Sequence, residues 1–187
     1  MSTEALESRI AALEARLAEL SDRDAIRECL YRYCRGIDRC DEAALRSSYW
    51  PDATDQHGPY KGTAAGFIEW ALDKRKDGAR TVHLLGNISI ELHGAAAAVE
   101  SYFQAHQIDQ DAEGKPRETF LCGRYVDRFE RRGAEWRVAA RVVTYDWMRE
   151  APGPTTSDAE RMGVRQPVGA PKPGDPWYSL VGSFSAS

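Results

Sequence analysis

The hydrophobic positions of this chain change period once, near residue 80. Between residues 4 and 20, Leu6, Ile10, Leu13, Leu17 and Leu20 recur at alternating steps of four and three, an apolar stripe on an otherwise charged helix. Two heptads are too few for a free-standing coiled coil, so the stripe is expected to pack on its own domain or on a neighbouring subunit. Ser21, with Asp24 three residues on, reads as the N-cap of a second helix. That helix carries Ile26, Leu30, Tyr33 and Ile37 on one face, and Gly36 marks its end. Asp41 starts a short third helix through Leu45 and Tyr49, stopped by Pro51-Asp52. A brief strand at 54–57 and the turn His57-Gly58-Pro59-Tyr60-Lys61-Gly62 lead to a fourth helix. It is capped by Thr63, runs through Phe67, Ile68, Ala71 and Leu72, and is ended by Gly78.

Beyond that point the period falls to two. A strand opens at His83, and Ile88, Ile90 and Leu92 alternate with Ser89 and Glu91 before the turn His93-Gly94. Residues 96–109 place Val99, Ser101 and Phe103 on one face and Glu100, Tyr102 and Gln104 on the other. Residues 118–131 and 135–148 read as two further strands joined at Arg132-Gly133-Ala134. Helices followed by an antiparallel meander predict an α+β fold in which a curved sheet wraps a helical layer and cups a pocket against it. The predicted organisation is an N-terminal helix at 1–20, the α+β domain at 21–150 and a tail at 151–187. Prolines 152, 154, 167, 171, 173 and 176 predict a tail without regular structure, whose Trp177-Tyr178-Ser179-Leu180 end docks on the body.

Charge and composition narrow the function. A formal net charge of −4 removes the basic face that nucleic acid requires. No apolar run approaches the ~18 residues of a membrane span. Met1-Ser2-Thr3-Glu4 opens no apolar leader, so a cytoplasmic location is expected. Cys29, Cys34, Cys40 and Cys122 lack metal-ligand spacing and read as reduced structural thiols; no metal site is expected.

Two stretches carry candidate chemistry: Tyr33-Cys34-Arg35-Gly36-Ile37-Asp38 and Thr81-Val82-His83-Leu84-Leu85-Gly86-Asn87. A helix ending in a carboxylate and a strand opening on a histidine can meet across a pocket as an Asp–His pair. Histidine titrates near neutrality and suits a general base, and a carboxylate on its other nitrogen fixes the tautomer. Plainer roles stand beside these. Asp38 caps the next helix, His83 is an ordinary strand histidine, Tyr33 is core and Arg141 pairs with a surface acid. His57 reads as a loop residue. His106 joins the pocket if the face it shares with Tyr102 points inward. Trp50, Phe67, Trp70, Tyr125 and Tyr145 form an aromatic inventory suited to a hydrophobic ring.

Taken in order, the lead helix, Asp24-Ala25-Ile26, Tyr33…Gly36-Ile37-Asp38, Trp50-Pro51-Asp52-Ala53, Tyr60-Lys61-Gly62, His83…Asn87, Gly123-Arg124-Tyr125 and Trp136-Arg137-Val138 resemble the SnoaL-like branch of the nuclear transport factor 2-like superfamily. The resemblance implies a cone-shaped α+β barrel of antiparallel strands wrapping the N-terminal helices. Within it the chain looks most like the elimination enzymes scytalone dehydratase, bile-acid 7α-dehydratase and hexachlorocyclohexane dehydrochlorinase. That likeness implies His83 as base and Asp38 as its partner, with Tyr33 and Arg141 stabilising charge at the leaving group. Tyr125, His106, Trp50, Phe67 and Tyr102 are the expected substrate contacts. Two positions depart from the pattern: Ile37 stands where the scytalone enzyme has a tyrosine, and Tyr125 where it has an asparagine. The implied activity is a cofactor-independent lyase acting on a hydrophobic small molecule, including polycyclic ones. The alternatives are a ketosteroid- or polyketide-type isomerase or cyclase, and a non-catalytic binding or assembly module. A homo-oligomer, trimer over dimer, is expected.

Overall fold

The computed structural model describes residues 2–75 and 80–185. Helix α1 (Thr3–Asp38) is unbroken and is followed by α2 (Glu42–Ser48), β1 (Tyr49–His57), β2 (Tyr60–Thr63) and α3 (Ala64–Asp73). The meander β3 (Arg80–His93), β4 (Ala96–Gln110), β5 (Pro116–Arg132) and β6 (Glu135–Pro152) comes next, then α4 (Asp158–Met162) and α5 (Pro176–Ser185). Gly78, the expected end of the fourth helix, lies outside the described residues. Among the described residues no helix is long and apolar enough to cross a membrane.

Two helix boundaries differ from expectation for physical reasons. Ser21 does not start a helix, because nothing between Leu20 and Asp24 breaks the preceding one. Asp22, beside it, accepts from Trp136 Nε1 at 2.7 Å and pairs with Arg131. Gly36 is interior to α1. A Cβ there would meet Leu45 Cγ at 2.8 Å, so the glycine serves the close approach of α2. The cap of α2 is Asp41, whose carboxylate accepts from the Ala44 N–H at 3.2 Å, and this leaves Asp38 free for other work.

The sheet corrects the expected cone. Its strand order is β2-β1-β6-β5-β4-β3, with β2 and β3 as free edges, and β1 runs parallel to β6. It is therefore a mixed, open sheet and not a barrel or a strongly curled cone. On its inward face α1 packs against β3 and β6 and α3 against β1 and β2. Ile26, Leu30, Tyr33 and Ile37 of α1 are buried there with Val99, Phe103, Tyr125, Phe129 and Val138 of the strands. Each such side chain contributes about 1.5–3 kcal/mol of hydrophobic burial.

The tail is more regular than its prolines suggest, with a capping box at Ser157–Glu160 opening α4. It holds the body through Asp158 on Arg80, Lys172 on Asp41 and Asp175 on Arg39, and Trp177 lies under the Arg35 guanidinium.

Candidate active site

The last turn of α1 and the start of β3 converge because Asp38 sits at the helix end, two residues past the Gly36 contact, where its side chain clears the helix. Its Oδ1 lies 2.7 Å from His83 Nδ1, and its Oδ2 accepts the His83 backbone N–H at 2.9 Å. Both side chains are largely enclosed, at 11% and 7% exposure. With Nδ1–H donated to the carboxylate, Nε2 keeps its lone pair. His83 lines a cavity of about 520 Å³ between α1, α3 and the inward face of the sheet, and Asp38 stands behind it.

The cavity walls are aromatic and carry unfinished polar groups. Phe67 stacks on His57 at 4.6 Å and Phe103 on Tyr125 at 4.6 Å. Gly123 makes room for that second stack: a Cβ there would meet Thr144 O at 2.0 Å and the Phe103 ring at 2.9 Å. Among the described residues, Tyr33 Oη, Tyr125 Oη, Thr81 Oγ1 and His57 Nδ1 are buried without a hydrogen-bond partner, and all four residues line the cavity. A buried polar atom left unpaired is costly, so these atoms mark where a bound molecule would complete the bonding. Burial pushes the Tyr33 and Tyr125 phenols above their ordinary range and Tyr145 up to about 12, so all three keep their O–H at neutral pH.

Of the expected site residues, His83, Tyr33, Tyr125 and Phe67 line this cavity, with Asp38 directly behind. Four others are corrections. Arg141 is fully buried outside the lining. It is bound by Asp127 at 2.8 and 2.7 Å and packed between the Tyr33 and Tyr125 rings, 4.1 and 4.2 Å from their centroids. Tyr102 and His106 lie on the outward face, because Val99, Ser101, Phe103 and Ala105 take the inward parity of β4. His106 packs near Phe120 beside a smaller cavity of about 260 Å³. Trp50 donates to Glu130 O at 2.9 Å under Arg132 and Arg137, away from the cavity.

Three groups were missed or underrated. His57 ends β1 inside the cavity, not in an exposed turn, and Asp55 Oδ1 stands 3.6 Å from its Nδ1. Asp55 and His57 share strand parity with buried Ala53, which is the signal that places them inward. Arg75 lines the cavity from the end of α3, and among the described residues no carboxylate lies within ion-pair distance of it. No three of His, Cys, Asp or Glu converge as metal ligands do among the described residues.

Burial outweighs Asp55 and holds the His57 imidazole below its ordinary range. The folded protein thus binds fewer protons at this site than the unfolded chain once the pH falls below about 6.5, so stability is lost on acidification through that window. His57→Gln is expected to flatten this part of the pH dependence, checked by urea denaturation at about pH 7.5 and about pH 5.5. An unchanged slope would place the acid sensitivity elsewhere.

The chain belongs to the SnoaL-like domain family, whose model matches residues 18–142. Similar solved structures include a hexachlorocyclohexane dehydrochlorinase from Novosphingobium barchaimii, 22% identical with a TM-score of 0.61, covering 76% of this chain and 98% of that one. A candidate scytalone dehydratase from Novosphingobium aromaticivorans is 19% identical with a TM-score of 0.59, covering 75% and 97%. A protein of unknown function from Mycobacterium tuberculosis is 21% identical with a TM-score of 0.55, covering 89% and 94%. At these identities the likeness establishes the fold. No curated protein matches the chain.

Proposed function

We propose that this protein is a cofactor-independent lyase that eliminates water or hydrogen halide from a hydrophobic, ring-bearing small molecule. The observation that carries the reading is the Asp38–His83 pair in the wall of an aromatic cavity. His83 Nε2 takes a proton from a C–H beside the leaving group, and that bond's electrons form C=C as the bond to the leaving group breaks. Where hydroxide leaves, the imidazolium returns the proton to the departing oxygen and water is released; where halide leaves, the proton passes to solvent. Asp38 stabilises the imidazolium between these steps.

Tyr33, whose protonated hydroxyl has no hydrogen-bond partner among the described residues, and Arg75, which has no carboxylate in ion-pair distance among them, meet the negative charge that develops. Phe67 and Tyr125 wall the ring. Asp38 is not placed as a carboxylate base of the isomerase kind, because His83 stands between it and the cavity, and the carboxylate that does line the cavity, Asp109, is held by two hydrogen bonds from Arg117. Likeness to proteins named for dehydrochlorination and dehydration supports elimination over other chemistry.

The test is a panel of hydroxylated and halogenated ring compounds, each with an acidic C–H next to the leaving group, followed by mass spectrometry. Loss of water or hydrogen halide from the product supports the proposal. A product of unchanged mass identifies an isomerase, and ligand binding without turnover identifies a binding module; either result overturns it.

A further inference from the structure

The N-terminal half of α1 stands clear of the domain. Every residue from 3 to 21 is exposed, including Leu6, Ile10, Leu13, Leu17 and Leu20 at 42–65%. At about 100° per residue, this stripe lies roughly 150° around the helix axis from the face that Ile26, Leu30, Tyr33 and Ile37 bury. One helix therefore grips its own domain on one side and presents an apolar seam on the other, beyond the reach of that domain. We infer that the seam is covered by a second copy of this chain in a parallel two-stranded coiled coil.

The heptad positions specify this occupant. Leu6, Leu13 and Leu20 fall at d, and Ile10 and Leu17 at a; leucine at d with isoleucine among the a positions favours two strands over three. The flanking e positions are Glu7 and Glu14, and the g positions are Arg9 and Arg16. In a parallel pair, g of one helix faces e of the next heptad across the seam, so Arg9 meets the partner's Glu14, and no like charges are opposed. In an antiparallel pair g faces g and e faces e, setting arginine against arginine and glutamate against glutamate. The charge pattern selects parallel.

The seam also has a defined end. The next a and d positions are Asp24 and Arg27, and from there the helix turns its apolar face to its own domain. The short seam is not an obstacle once the helix is continuous. An isolated stretch of two to three heptads is marginal because helix nucleation is unfavourable, but here residues 26–37 are already folded into the core and nucleate the projecting half. Because the seam and the domain-facing side point in opposite directions, the two domains sit on the outer flanks of the pair without colliding. The arrangement is a dimer, unlike the trimer that the family resemblance implies.

Sedimentation equilibrium of the full chain, up to the high micromolar range, tests the inference. Wild type is expected to be dimeric. Leu13→Glu is expected to weaken association about 100-fold or more, since it puts two charges in place of two leucines in the seam. Its melting should match that of wild type diluted to the monomer, because Leu13 is exposed and lies outside the buried core of its own domain. Arg9→Glu alone should weaken the dimer several-fold, and adding Glu14→Arg should restore it. In an antiparallel pair Arg9→Glu would strengthen association instead, by facing an arginine. A monomeric or trimeric wild type overturns the inference, and so does a dimer indifferent to Leu13→Glu, which would move the interface to another surface such as the outer face of the sheet.

Discussion

Replacing His83 by alanine is expected to lower turnover of the cavity's substrate by about 10²- to 10⁴-fold, the contribution of a positioned general base. Asp38→Asn should come close to it without removing any atom of the imidazole. The reason lies in which oxygen does what. Asp38 Oδ2 already accepts the His83 backbone N–H, so the amide oxygen of an asparagine would keep that place. Its NH₂ would then face Nδ1, which must become the acceptor, and the ring's proton would move to Nε2. The imidazole would remain in position with its base pointing away from the substrate. Losing one buried hydrogen bond costs on the order of 1–3 kcal/mol, so both variants should stay folded, with circular dichroism as the control. If either variant turned over substrate at the wild-type rate, the Asp–His assignment would be lost.

Much of this site was legible because each half is local. Asp38 ends an apolar helical stripe and His83 opens an alternating strand, and both patterns can be read within a few residues. What the sequence left open was whether Asp38 capped the next helix. Only the fold shows that Asp41 takes that role and that both Asp38 oxygens are spent on His83.

Strand parity was legible as alternation but not as direction. In β4 Ser101 shares the buried side with Val99, Phe103 and Ala105, whereas Tyr102 and His106 lie on the exposed one, so the expectation that Tyr102 and His106 contact the substrate took the wrong face. The free edges and the parallel β1–β6 pairing depend on contacts between residues some 90 positions apart, which no local period encodes. The continuity of α1 was hidden for the opposite reason: Ser21 and Asp24 have the chemistry of a cap, yet nothing nearby forces the helix to stop.

Arg141 is where likeness to other enzymes and the physics of this chain diverge, and it yields the largest expected effect on stability. Arg141 and Asp127 are direct cross-strand partners on β6 and β5, both fully buried, with two hydrogen bonds between them. A third group, the Tyr49 hydroxyl, lies 3.4 Å from the guanidinium, and two tyrosine rings cover its faces. Arg141→Ala would leave the Asp127 carboxylate buried without a cation, a loss of about 3–5 kcal/mol and a fall in Tm on the order of 10 °C. Arg141→Lys should recover only part of this, because an ammonium cannot bond both carboxylate oxygens in the same fork or cover both rings. The double variant Arg141→Met with Asp127→Leu should be markedly more stable than Arg141→Ala, since it removes the stranded charge as well as the pair. A substrate-contacting arginine would behave differently. Arg141→Ala would then keep its Tm within a degree or two and lose turnover, and that outcome would return Arg141 to the reacting atoms. Thermal melts of the three variants, read beside their activity, separate a guanidinium that stacks the cavity's tyrosines from behind from one that touches what the cavity binds.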